Sequence, residues 1–250
     1  MSNAAFSRYS LVGVVVFASI FSLPRAGGQS PEDDKAIRMV VEGYLKAMDW
    51  KERLAFVHDA PKQEAAMQEK YKGAVFQLQN QSVQKIEEIE KHPKHYLVKA
   101  TWAEKMKSQK FFGYYIVHKT ADGIKMDWPA SVGFNPTNLK ALVSKKPKEA
   151  HTLRLIATTN STFMGDYAKA KDTHFCFLLR EDNPLQTIYG YIPKTNPDGQ
   201  RLIDLLKTNK ETKDRVIVEI RFVAPNGDEV KNPRTVAITK LVSESWILAP

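Results

Sequence analysis

Apolar residues at Ile37, Val40, Val41, Tyr44, Leu45 and Met48 recur at the i, i+3, i+4, i+7 spacing of a helix with one buried face. Asp49 is placed to cap a second, short helix, with Glu52 three residues on as its capping-box partner. Trp50, Leu54 and Val57 share a side of that segment. His58-Asp59-Ala60-Pro61 then punctuates, and Pro61 suits the first turn of a third helix that carries Met67 and Tyr71 and ends near Gly73. From Ser82 the period changes to two. Residues 82–90, 96–104, 110–120 and 124–132 read as strands, and Asp122-Gly123 is a hairpin signal joining the last two. That turn sets Ala121 opposite Ile124, Val117 opposite Trp128 and His118 opposite Asp127. Tyr115, Val117, Met126, Trp128 and Ala130 then share one face, which Val98, Ala100 and Trp102 join.

Residues 136–150 read as a lysine-rich linker. Lys140, Lys145, Lys146 and Lys148 stand with Ser144 and Pro147 in a stretch without an apolar period. Beyond it the chain is mostly strand. Leu153, Leu155 and Ala157 alternate in the first, and residues 174–179 and 187–192 follow with Asn183-Pro184 between them. Asn196-Pro197 opens a short helix through Leu202, Ile203, Leu205 and Leu206. Strands at 215–222 and 235–242 close the sequence, with Pro225-Asn226-Gly227-Asp228 as the turn between them.

Composition narrows the class. The 250 residues are 43% hydrophobic and 26% charged, which excludes a disordered, collagen-like or all-membrane chain. Cys176 is the single cysteine, so no internal disulfide or cysteine-built zinc site can form. The histidines lack HxH or HExxH spacing and the glycines lack phosphate-loop spacing, so neither a metal nor a cofactor is expected. The first 28 residues read as a secretory signal: Arg8, an uncharged apolar run at 11–23, Pro24, and small residues at Ala26-Gly27-Gly28 before Gln29. The 13-residue run makes roughly 20 Å of helix against roughly 30 Å of bilayer hydrocarbon, which favours a cleaved leader over a membrane anchor. Cleavage removes Arg8 and Arg25 and lowers the net charge from +9 to +7. The expected destination is the periplasm or the cell exterior.

Three helices followed by four strands, with Tyr44 and Trp50 early and Met126-Asp127-Trp128-Pro-Ala-Ser131 late, resembles the nuclear-transport-factor-2-like superfamily over residues 34–135. The resemblance implies a cone: a curved antiparallel sheet wrapped around a long helix, with a pocket at its open end. Some members are isomerases, dehydratases or cyclases and use an Asp or His in that pocket; others are binding or assembly domains. The corresponding candidates are His58, Asp59, His118 and Asp127, with Tyr44, Trp50, Trp102, Tyr115 and Trp128 as pocket lining. The hairpin register puts His118 and Asp127 together as an ion pair on the outer face. His58 and Asp59 fall in an interhelical turn, where Asp59 would cap the next helix. No catalytic constellation emerges. Cone domains also pair through the open face of the sheet, so the resemblance implies a homodimer.

Three strands, a helix and two strands over residues 151–250 are similar to the five-stranded oligonucleotide/oligosaccharide-binding barrel. The ligand strands of such barrels correspond here to Phe175, Phe177, Tyr189 and Tyr191. A small barrel needs large side chains inside, so these read as core, and Cys176, on the opposite side, as packed and inert. The fold expected is α+β. The function expected is an exported, non-catalytic binding or assembly module, with a protein or small ligand outside the cytoplasm as partner. Its rivals are an isomerase- or dehydratase-like enzyme using the cone pocket and a barrel that binds polysaccharide or single-stranded nucleic acid, the latter disfavoured by export.

Overall fold

Ser30 caps the first helix: its hydroxyl accepts the Asp33 N–H at 3.1 Å. Helix α1 runs Pro31–Lys46 with Glu32, Asp33 and Asp34 in its first turn, where they oppose the helix dipole. Ile37, Val41, Tyr44 and Leu45 form its buried stripe. Asp49 caps α2 (Trp50–Leu54) by accepting the Glu52 N–H at 2.9 Å, while Glu52 reaches back to the Met48 N–H. Helix α3 spans Ala60–Lys70. The computed structural model describes residues 30–104, 110–181, 186–208 and 214–247. The apolar leader and the Asn183-Pro184 turn lie outside those residues. Among the described residues no helix is long and apolar enough to cross a membrane.

The chain is α+β with two sheets. The first is antiparallel, in the order β1 (Leu78–Ile89), β2 (His92–Glu104), β3 (Lys110–Thr120), β4 (Gly123–Met126). Its inner face packs on α1 through Val98, Ala100, Val117 and Met126. The β3–β4 hairpin corrects the expected register. Only Gly123 takes a positive φ (+105°), whereas a two-residue Asp-Gly loop needs one at Asp122 as well. Thr120 therefore pairs with Gly123, and His118 faces Lys125 instead of Asp127. The partner moves by two residues, an even number, so Tyr115, Val117 and Met126 keep their inward face.

The last strand is also shorter than its pattern suggests. It stops at Met126, where Asp127 accepts the Ala130 N–H at 3.0 Å and starts helix α4 (Trp128–Val132) with Pro129 in its first turn. The expected ion pair between His118 and Asp127 does not form, because Asp127 is a helix cap. The lysine-rich segment departs from expectation too. Asn138 caps helix α5 (Leu139–Lys145), whose Leu139 and Leu142 are buried in the core of the second sheet.

That second sheet closes on itself in the order β5 (His151–Asn160), β6 (His174–Arg180), β7 (Thr187–Pro193), β9 (Thr235–Ser243), β8 (Arg215–Arg221), with β8 returning to β5. All pairs are antiparallel except β7 with β9. Helix α6 (Pro197–Lys207) joins β7 to β8 and buries Leu202 and Leu205 against the barrel interior.

The two sheets are packed together. Ile116, Leu97 and Ile89, on the outer face of the four-stranded sheet, join Ala130 against Ile156, Ile217, Trp246 and Ile247. The Trp246 indole donates to the Leu155 carbonyl at 3.1 Å, and its ring lies over Gly133, where a Cβ would come within 2.7 Å. Asn135 clasps Arg154 reciprocally: Oδ1 accepts the Arg154 N–H at 2.8 Å and Nδ2 donates to the Arg154 carbonyl at 3.1 Å. The Arg154 side chain in turn holds the Trp246 and Phe134 carbonyls. Part of the sheet face expected to pair two copies is thus covered by the chain's own barrel.

Candidate functional site

The hollow between helices and sheet is filled. Tyr44 and Trp128 are fully buried there, and Tyr115, Trp102 and Trp50 pack around them. Tyr115 lies 6.2 Å from both the Tyr44 and the Trp102 ring. Tyr71, Phe76 and Phe134 complete the aromatic set. The Trp128 indole donates to the Tyr71 hydroxyl at 3.1 Å, and the Tyr71 and Tyr44 hydroxyls share a further bond at 3.1 Å. Burial pushes the Tyr44 and Tyr115 phenols far above their ordinary range, so both keep their protons.

One charged side chain sits among these rings. Arg53, only 5% exposed, lays its guanidinium 3.2 Å from the centroid of Phe76, 4.7 Å from that of Tyr44 and 5.7 Å from that of Tyr71. Its Nε has no hydrogen-bond partner. Cation–π contact returns about 2 kcal/mol when desolvated, against a burial cost of several kcal/mol for an ion. The sequence pattern carries a signal for this residue. Arg53 stands three positions after Trp50, on the same helix face.

The four groups proposed for proton chemistry lie elsewhere. Asp127 caps α4. Asp59 occupies the N-cap position of α3 in a left-handed conformation (φ 53°) but makes no side-chain cap bond; it pairs instead with Lys62 at 2.7 Å, which lowers its pKa. His118 stacks on His95, centroids 4.0 Å apart and 11° from parallel, and His58 meets His118 edge-on at 5.3 Å. His92, 6.1 Å from His95, ends this row of four imidazoles. Among the described residues no group of three His, Cys, Asp or Glu is placed to hold a metal ion.

The imidazole row has a pH consequence. Burial, then the charges of His95 and His58, lower the His118 pKa, against a smaller opposing pull from Asp127; Lys94 adds to the lowering. Burial, His95 and Lys91 lower that of His92. The unfolded chain therefore binds more protons than the native one as pH falls below about 6.5, and stability declines with it. Melting temperature is expected to fall between pH 7.5 and 5, before the paired carboxylates titrate, and less so in His118→Gln. A flat profile over that range would contradict this reading.

A cleft of about 500 Å³ opens where the outer sheet face meets the barrel. Ile89, Leu97, Ile116, Ala130 and Trp246 supply its apolar lining; Lys85, Glu87, Glu88, Glu90, Lys91, Arg215 and Glu244 supply its charges. Glu244 pairs with Lys91 and, at 3.0 Å, with Arg201, and these partners hold its carboxyl below the usual range. Ser245 Oγ lies 3.1 Å from His92 Nε2. The pair joins the β1–β2 turn to the segment after β9.

The aromatic side chains on β6 and β7 are packed to different degrees. Phe177 lies inside it, and Tyr191 is fully buried against Tyr167, rings 4.1 Å apart. Phe175 packs on the interior cluster and Tyr189 on the outer one. Cys176 bonds the Thr162 carbonyl, and burial pushes its thiol up to about 11, which leaves it inert at neutral pH. No family model matches this chain, and neither does any curated protein or solved structure.

Proposed function

We propose that this chain is an exported, non-catalytic binding module whose ligand site is the cleft between its two sheets. The cleft itself carries the reading. Its volume falls in the range of small-molecule and peptide sites, and it combines an indole and aliphatic lining with charged groups at one place. The complementary guest is amphipathic: an apolar group seated on the half-exposed Ile89 and Leu97, flanked by polar or charged groups that meet the rim. Proton chemistry has less support, because the aromatic hollow contains phenols and a guanidinium while the carboxylates and imidazoles serve as caps, ion pairs and a surface row.

Export rests on the apolar leader of the sequence. A nuclear-transport-factor-2-like cone is supported by three helices preceding four antiparallel strands, with α1 lying on the inner face. An oligonucleotide/oligosaccharide-binding-type barrel is supported by the closed order β5-β6-β7-β9-β8 and by the helix between β7 and β8. Both are architectures that host many functions, so the site decides.

Crystals soaked with a library of small organic fragments test this assignment. Fragments are expected to gather against Ile89 and Leu97, and to leave that place in Leu97→Arg. Fragments collecting in the aromatic hollow, together with turnover lost on Asp127→Asn or His118→Gln, would replace the binding module with an enzyme.

A further inference from the structure

The charges that line the cleft between the sheets do not cancel. Glu87 holds Lys85 at 2.7 Å, and Glu244 holds Lys91 while also meeting Arg201 at 3.0 Å. The Arg215 guanidinium lies 4.5 Å from the Trp246 ring and 5.7 Å from the Tyr114 ring. Burial, then the charges of His95 and Lys91, disfavour a charged His92. Each cationic group of the lining is thus engaged or held neutral. Two lining carboxylates, Glu88 and Glu90, make no ion pair among the described residues. Glu88 accepts the Lys94 N–H, and that at 3.4 Å. Both are exposed, and they flank Ile89, which is half-buried in the apolar floor. The uncompensated charge at the mouth of this cavity is therefore negative.

We propose that the cleft binds a small organic ammonium ion, its aliphatic body on Ile89 and Leu97 and its cationic head met by Glu88 and Glu90. This rests on the cleft being a ligand site, as argued above, and adds the sign and class of the guest. An ammonium group offers three donors and no acceptor, so it suits two carboxylates. An anion has no equivalent place, because seating it on Lys85 or Lys91 would break an existing pair. The net charge of +9 does not oppose a cationic guest. Exposed charges more than about 10 Å away are largely screened at roughly 0.1 M salt. A cavity of about 500 Å³ is the size of a site for a free small molecule.

The test is a titration of the methyl-labelled full-length chain at neutral pH and constant ionic strength, followed at the Ile89 and Leu97 methyls. The probes are hexylamine, 1-hexanol and sodium hexanoate, which share one chain length and differ in charge. Hexylamine is expected to half-saturate at a several-fold lower concentration than 1-hexanol, with hexanoate the weakest. Added salt is expected to shrink the amine's advantage, and Glu88→Gln combined with Glu90→Gln to abolish it. Nα-acetyl-lysine amide carries the same head group on a peptide. It is expected to bind more weakly than hexylamine, because its amides must also be desolvated. The proposal is overturned if 1-hexanol or hexanoate binds as tightly as hexylamine, or if the double variant keeps the preference. Tighter binding of the lysine amide also overturns it and makes the guest a peptide side chain. Saturable binding of 1-hexanol without an amine preference sinks this proposal alone, whereas no saturable shift with any probe removes the cleft as a ligand site as well.

Discussion

Replacing Trp246 with alanine is expected to lower stability by about 3–5 kcal/mol, the range for deleting a fully packed aromatic side chain. The indole is 2% exposed and sits in the cluster that joins the two sheets. Its ring also carries the Arg215 guanidinium at 4.5 Å. Truncation removes that contact, leaves the Leu155 carbonyl without its donor, and opens a void beside Gly133. Chemical denaturation followed by fluorescence measures the loss. A second variant addresses the same packing from the other side. Gly133 has φ +58°, and a Cβ there would meet the Trp246 ring at 2.7 Å, so Gly133→Ala is expected to destabilise through both backbone strain and the clash. A change under 1 kcal/mol in Trp246→Ala would mean that the sheets are not held together by this residue.

Trp128→Ala is expected to cost a similar 3–5 kcal/mol. Trp128 is fully buried, packs on Phe134 at 5.0 Å and anchors the Tyr71 hydroxyl. Trp50→Ala, at a half-buried position on the edge of the same cluster, is expected to cost less than half as much. Equal losses for the two would show that the hollow is not filled as described. Denaturant midpoints at constant slope separate the outcomes.

The sequence made one-sided burial easy to read. Helix α1 shows its stripe because a single face meets the core, and the barrel strands alternate because one face of each lines a closed interior. The pattern misleads where two rules compete. Trp128 and Ala130 alternate like strand residues, yet Asp127 with Pro129 two residues on is a helix start, and the cap prevailed. Leu139 and Leu142 have helical spacing, but the surrounding lysines obscured it. The burial of Arg53 is hard to read from sequence because a charged residue on a short helix usually faces water. The cleft was out of reach for a different reason. Leu97 and Ile116 lie on a face where Lys99 and Tyr114 also project, and Trp246 belongs to no helix or strand. Only the folded chain brings them together across more than 100 residues.

The docking of the sheet's outer face onto the barrel creates the cleft, and it can be observed directly in solution. In full-length protein with labelled isoleucine methyls, nuclear Overhauser contacts are expected among Ile116, Ile217 and the Trp246 ring. Their presence would place the outer face of the sheet against the barrel. Their absence, with the Ile116 methyl freely exposed to solvent, would dissolve the cleft and the function assigned to it.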